Sequence, residues 1–289
     1  KIRVCNIAYG VFMQIAMIED RIVPFEQLES IYLDRGLYFG DGVYEVLRSY
    51  NGRIFAFEEH MERFERSLSA IEIKNVDMND IRKRVKNAFD KAGISDAKIY
   101  FHITRGSGPR SHICDENIRP NFFLTVTELP AKDARKTGGI SVMTHPDLRW
   151  KRCDIKSLNL LPNVLAQRQA AKCGCTEAIL VDEKGLITEG ASSAFFAISK
   201  KSLQTSPLGS NILPSITRKF VIKAAQNIGL SIVEKSLTTA QAKEADEIFI
   251  AVTTADIIPV VKFDDVFIGD GKPGKFTKML MGEFRSFTK

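Results

Sequence analysis

RCDIKSLNLLPNVLA, residues Arg152 to Ala166, carries Lys156, and LITEG, Leu186 to Gly190, follows it downstream and carries Glu189. An amine nucleophile and a carboxylate brought together in this way can hold the two ends of a pyridine ring. The amine condenses with an aldehyde, while a carboxylate beside the ring nitrogen keeps that nitrogen protonated and makes the ring an electron sink. Lys156 and Glu189 therefore point to pyridoxal phosphate chemistry. Taken singly, a lysine in a chain this basic is an ordinary solvated charge, and Glu189 before Gly190, Ala191 and Ser192 reads as a solvated turn carboxylate. The setting of Lys156 argues otherwise. The apolar spacing Leu158, Leu161, Val164, Leu165 predicts that it stands at the mouth of a core helix. A lysine against apolar surroundings gives up some preference for the protonated form, and the neutral amine is the nucleophile.

Outward from this stretch, the chain divides. Before it, Met61, Phe64, Leu68, Ile71 and then Ile81, Val85, Phe89 recur at helical spacing, so two helices are expected ahead of the first clear strands, Ile99 to Thr104 and Phe122 to Thr127. The run 129–139, LPAKDARKTGG, mixes Pro, Gly and charge without periodicity and reads as a linker. It predicts an α+β small domain over 1–131 and an α+β large domain over 132–289, with a cleft between them. In the second half, strands are expected at Ile140 to Thr144, Ala178 to Val181, Ser193 to Ile198, Glu247 to Val252 and Ile258 to Val261. Helices are expected over 159–173, through Ile216, Phe220, Ala224 and Ile228, and through Phe276, Leu280, Phe284 and Phe287.

With 289 residues, 44% of them hydrophobic and 26% charged, the composition is that of a folded globular protein and argues against disorder. The net charge of +6 is scattered among acidic residues and forms no basic run, which disfavours nucleic acid and leaves attraction of small anions. No apolar stretch is long enough for a bilayer, and Lys1 to Gln14 lacks a signal peptide's cleavage pattern, so a cytoplasmic protein is expected. The five cysteines, Cys5, Cys114, Cys153, Cys173 and Cys175, are unevenly spread and read as reduced thiols. No histidine pair completes a zinc site with Cys173 and Cys175, and no metal is expected.

From Leu33 onward the chain resembles the fold-type IV pyridoxal-phosphate enzymes, the branched-chain aminotransferase-like class IV group, and within it the D-amino acid aminotransferases. The resemblance rests on RGLYFGDGVYEV (from Arg35), TRGSGPRSH (from Thr104), the Lys156 and Glu189 stretches, ILPSITR (from Ile212) and TTADIIPV (from Thr253), in the family's order. It implies a two-domain α+β fold with pyridoxal 5'-phosphate in the interdomain cleft, joined to Lys156 and held by Glu189 at the ring nitrogen. The phosphate is implied to rest on Arg63 and on Ile216 and Thr217 at a helix start, with Leu213, Thr253 and Thr254 completing the cofactor site. A helix N-terminus with unpaired N–H groups suits a dianion on physical grounds alone, and Pro214 and Ser215 suit a helix entry.

The same resemblance implies that Arg110, His112 and Tyr44 hold a substrate α-carboxylate. It places Arg110 and His112 in the active site of the other subunit, hence a homodimer acting on amino donors and 2-oxo acids. Read without it, RGSGPRSH is an exposed turn and Tyr44 a packed strand tyrosine; Asp41 reads as a turn residue, His60 as a structural neighbour of the cofactor, and His102 and His145 as strand or loop histidines. Transamination of D-alanine and D-glutamate class substrates with 2-oxoglutarate or pyruvate is the expected activity. An L-branched-chain aminotransferase, a 4-amino-4-deoxychorismate lyase, an (R)-selective amine aminotransferase and a non-catalytic cofactor-binding protein remain open at this point. The chain departs from the family at Ala194, where relatives carry Asn, and over Ile2 to Ile22, where the usual opening strands are not recognisable.

Overall fold

The alternation in GVYEVLRSY builds the part of the molecule that carries the site. In the strand Gly42–Tyr50, Val43, Glu45, Leu47 and Ser49 are buried on one face, while Tyr44, Val46 and Arg48 point to the other. A computed structural model describes residues 13–130 and 133–289. Cys5, most of Ile2 to Ile22, most of the Lys1 to Gln14 opening, and the boundary placed at 131/132 within the linker therefore lie outside the described residues.

Gly42–Tyr50 lies inside a four-stranded antiparallel sheet, between Arg53–Ile54 and Ala97–Thr104, with Asn121–Glu128 beyond. Two amphipathic helices, Phe57–Ala70 and Met78–Ala92, cover its Val43 face. Met61, Phe64 and Leu68 from the first and Ile81, Val85 and Phe89 from the second meet Leu47, Ile99 and Phe101 in one core. Asp77 caps the second helix by accepting from the Asn79 N–H, and Gly93, with φ +64°, ends it in the left-handed conformation. The two helices do not precede the first strands: Gly42–Tyr50 comes before both. Its charged Glu45 and Arg48 obscure a strand that buries them by pairing them.

The second half forms a nine-stranded mixed sheet. Its order runs Ser231–Glu234, Ser202–Thr205, Ala194–Ser199, Glu247–Val252, Asp256–Phe263, Ile140–Pro146, Glu177–Val181, Ile187–Gly190, with Val266–Phe267 paired to Asp256–Phe263. Central strands such as EIFIAV are buried on both faces and so read as unbroken apolar runs. Helices Ile216–Asn227 and Lys275–Ser286 pack on one face against Phe196, Phe249 and Ile257. The strands Ile187–Gly190, Ser202–Thr205 and Ser231–Glu234 have no alternation long enough to be read from the sequence, and are fixed by their neighbours. The same is true of the hairpin Ile15–Ile18 with Arg21–Pro24.

The helix after Lys156 is Leu161–Lys172, but it is no core helix on the expected side. It buries Ala166 and Ala170 against Ala178, Leu180 and Ala191, while Leu161 and Leu165 are 67% and 52% exposed. Small residues let it sit close to the sheet, and its larger apolar face is uncovered in the single chain. Among the described residues, no helix is long and apolar enough to cross a membrane, and Cys114, Cys153, Cys173 and Cys175 are unpaired.

Candidate active site

Lys156 is positioned by backbone pairing. The Tyr44 N–H donates to the Lys156 carbonyl at 3.0 Å, the Leu158 N–H to the Gly42 carbonyl at 3.0 Å, and the Lys156 N–H to the Ser67 hydroxyl at 3.2 Å. The segment therefore runs along the free edge near the start of the Gly42–Tyr50 strand, with Ile155 in the small sheet's core and Lys156 on the opposite side. Its Nζ lies 4.1 Å from the centre of the Tyr44 ring, within cation–π range. Both side chains line a cavity of about 580 Å³ that Glu189, Leu213, Thr253 and Thr254 also line. That size suits a small organic cofactor.

Glu189 is no turn carboxylate: it sits in a strand buried along its whole length. Its Oε1 accepts from Arg149 Nη1 at 2.5 Å and from the Leu213 N–H at 3.2 Å. Arg149 is itself gripped by Asp147 through Nε at 2.9 Å and Nη2 at 2.7 Å, and the Thr188 hydroxyl donates to the same aspartate. Burial pushes the Glu189 carboxyl up, and the Arg149 guanidinium opposes that shift. The sequence did not single out Arg149. The available signal was that a buried carboxylate requires a cation, and Asp147-x-Arg149 supplies one two residues from its own anchor.

Arg63 is held from the opposite wall. Nε and Nη2 donate to the two oxygens of Glu45 at 2.7 and 2.8 Å, and Nη1 donates to the Pro214 carbonyl at 3.1 Å. This places the guanidinium against the entry of helix Ile216–Asn227, whose Ser215 cap accepts from the Arg218 N–H. Ser215 lines the cavity, whereas Ile216 and Thr217 are buried and do not line it, although they stand in the helix's first turn, where N–H groups lack helical partners. His60, fully buried, shares Glu45 at 2.7 Å. Burial pushes the Glu45 carboxyl up, but Arg63 and His60 more than offset this and hold it well below the usual carboxylate range.

Glu45→Gln should therefore cost about 3 kcal/mol, because it leaves the Arg63 charge uncompensated in the interior. Glu45 is depressed in the folded state, so its contribution is fully present above the unfolded value of 4.5 and is lost as pH falls below it. Denaturant midpoints measured from neutral pH to about pH 3 should fall more steeply in the wild type than in the variant. Parallel curves would show that Glu45 is not the titrating anchor.

The R-x-H loop is elsewhere. Arg110 and His112 are exposed, outside the Lys156 cavity, and both lie on Phe39: the Arg110 guanidinium is 5.3 Å from the ring centre and the His112 ring 5.4 Å. Arg35 fixes this loop, donating to the Ser111 carbonyl at 2.5 Å and the His112 carbonyl at 3.1 Å. Asp41, expected as a turn residue, accepts from both Arg35 Nε and Arg105 Nε at 2.9 Å and so ties the loop to the small sheet. His102 lies in a strand with its Nδ1 3.0 Å from the Tyr100 hydroxyl, and His145 lies in the strand Ile140–Pro146.

One cavity thus gathers an amine, a buried carboxylate, an arginine, a capped helix entry and two threonine hydroxyls, a donor set that fits an aromatic aldehyde bearing a phosphate. Residues 42–263 match the model of the amino-transferase class IV family. The chain is 39% identical to a D-alanine aminotransferase of Bacillus licheniformis, over 85% of this chain and 87% of that one. It is 37% identical to a D-alanine aminotransferase of Staphylococcus haemolyticus, over 93% and 96%. A branched-chain amino acid aminotransferase from Escherichia coli superposes with a TM-score of 0.81 at 25% identity, covering 92% of this chain and 91% of that one. The chain belongs to the class IV aminotransferases.

Proposed function

We propose that the protein transfers the amino group of D-alanine and D-glutamate class amino acids to 2-oxo acids such as 2-oxoglutarate or pyruvate, using pyridoxal phosphate in the cavity around Lys156. The observation that carries the reading is Lys156 and the Arg149-bound Glu189 on the walls of one cofactor-sized cavity. The D-alanine aminotransferase relatives, similar over most of the chain, support the choice of D-substrates. The two sheets are read as the two domains, 1–131 and 132–289, with the cofactor between them.

Bound there, pyridoxal phosphate supplies an aldehyde that exchanges amines and a ring that disperses the electrons left when a Cα–H bond breaks. Lys156 would hold the cofactor through its aldehyde and, once an amino donor takes its place there, would take the proton from the donor's Cα as base and deliver it as acid to the cofactor's aldehyde-derived carbon. Glu189 would hold the proton on the ring nitrogen, with Arg149 keeping Glu189 anionic enough to do so. Leu213, which lines the cavity, would help hold the ring. Arg63, the N–H groups of Ile216 and Thr217, and Thr253 and Thr254 bind the phosphate. Tyr44 lies beside Lys156 and binds the substrate carboxylate with Arg110 and His112.

Because Arg110 and His112 lie outside their own chain's cavity, they serve the cavity of a second copy, and the protein works as a homodimer. The uncovered Leu161, Val164 and Leu165 face near the cavity supports such a contact. The unpaired cysteines fit a reducing compartment such as the cytoplasm.

Handedness follows from which side of the cavity the carboxylate occupies, since the Cα–H bond must face Lys156. With 2-oxoglutarate as acceptor, D-alanine should be turned over and L-leucine should not; the reverse preference would overturn the D-specific reading. Arg110→Ala should raise the KM for D-alanine between about tenfold and a hundredfold while cofactor affinity is kept. An unchanged KM would mean that the carboxylate is held by other groups.

A further inference from the structure

Behind the two threonines lies a buried charge cluster that the proposed chemistry does not use. Residues 253–255 form the turn between strands Glu247–Val252 and Asp256–Phe263, closed by the Ala255 N–H donating to the Val252 carbonyl at 3.1 Å. The residue that completes the turn is Asp256, with φ +59°, a left-handed conformation that glycine adopts more readily. An aspartate in this place needs a reason, and its carboxylate supplies one.

Asp256 is 9% exposed and accepts from three side chains on two other elements: Lys136 Nζ at 2.6 Å, Arg48 Nη1 at 3.5 Å and the Tyr50 hydroxyl. Arg48 Nη1 also donates to the Thr254 carbonyl at 2.8 Å, and its guanidinium stacks 4.5 Å from the centre of the Tyr50 ring. Burial and Asp256 together push the Tyr50 hydroxyl far up, so it remains a donor. The small sheet, the short helix Arg135–Gly138 and the threonine turn are thus pinned at one point.

We infer that Arg48, Tyr50, Lys136 and Asp256 are positioning residues for the phosphate end of the cofactor, holding the Thr253–Thr254 turn at the height the phosphate needs. This rests on the reading of the cavity as a pyridoxal phosphate site. None of the four lines the cavity, so they act through the turn. A dianion bound there would gain the fixed geometry of the threonines.

Equilibrium titration of the cofactor-free protein with pyridoxal phosphate and with pyridoxal, which lacks the phosphate, separates this role from general damage. The wild type should bind pyridoxal phosphate far more tightly than pyridoxal. Asp256→Asn and Arg48→Lys should weaken pyridoxal phosphate about tenfold or more while pyridoxal binding changes little, because only the phosphate end has lost its support. Asp256→Gly relieves the left-handed backbone but also strips Arg48 and Lys136 of their anion, so the apoprotein should lose heat resistance, and it should still weaken pyridoxal phosphate selectively. Tyr50→Phe keeps the ring under Arg48 and removes one donor, so it serves if the charged variants fold poorly, with a smaller loss in the same direction. Wild-type affinity for pyridoxal phosphate in these variants, or an equal loss for both ligands, overturns the inference. A wild type that binds neither ligand at the cavity overturns the site itself, and the inference with it.

Discussion

Lys156→Ala should lose the visible absorption of the lysine-bound cofactor and should slow turnover on the order of a thousandfold or more. The geometry gives this effect its size. The backbone on either side of Lys156 is pinned to Gly42 and Tyr44, so the side chain delivers one amine to one place above the Tyr44 ring. A nucleophile and proton carrier fixed in this manner has no substitute among its neighbours. The Tyr44 hydroxyl lies in the same cavity but does not exchange with an imine, and His60 is committed to Glu45 under the sheet. Because Lys156 is only partly buried and has no salt bridge among the described residues, the alanine variant should unfold close to the wild-type temperature. Full absorbance together with full activity would remove Lys156 from the mechanism. Loss of both together with loss of folding would instead make it a structural residue.

Glu189→Gln should come next in size, lowering kcat on the order of a hundredfold, the scale for removing one fixed charge from a transition state. The amide can still touch a ring nitrogen but no longer favours its protonated form, so substrate and cofactor binding should suffer less than the chemical step. The variant also leaves Arg149 with one anionic partner instead of two. Asp147 still grips it through two bonds, so the stability loss should stay near about 2 kcal/mol, short of the penalty for a fully stranded cation. Single-turnover rates with D-alanine, alongside denaturant unfolding, separate the two effects. A variant within about twofold of the wild-type rate would show that the ring nitrogen is not charged during the reaction.

The features legible in the sequence share a physical property: they are local. Met61, Phe64 and Leu68, or Phe276, Leu280 and Phe284, repeat at the spacing of a helix face, and EIFIAV is a strand buried on both sides. Lys156, Glu189, Arg63, Leu213, Thr253 and Thr254 could be grouped because their motifs occur in a known order, and they meet in one cavity. What escaped notice depends on partners far along the chain. Glu45 and Arg48 made Gly42–Tyr50 hard to recognise as a strand until Arg63 and Thr254 are placed against them. Asp41 reads as a turn residue and Arg149 is not singled out, because their counter-ions are reached only through folding. The stripe Leu161, Val164, Leu165 shows the opposite limit, since periodicity reveals an apolar face without revealing what covers it.

Neighbouring residues of Gly42–Tyr50 answer to different masters: odd positions anchor Arg63 and the helical layer, even positions Tyr44, Val46 and Arg48 serve the reaction chamber and the threonine turn. Side chains on a pleated strand exchange sides with every step. A single inserted or deleted residue here would turn the ion-pair anchor into the chamber and the chamber lining into the core in one stroke. Evolution can therefore exchange letters in this nonapeptide but cannot change its count, and the ruler that measures out the catalytic wall is the same one that measures out the core.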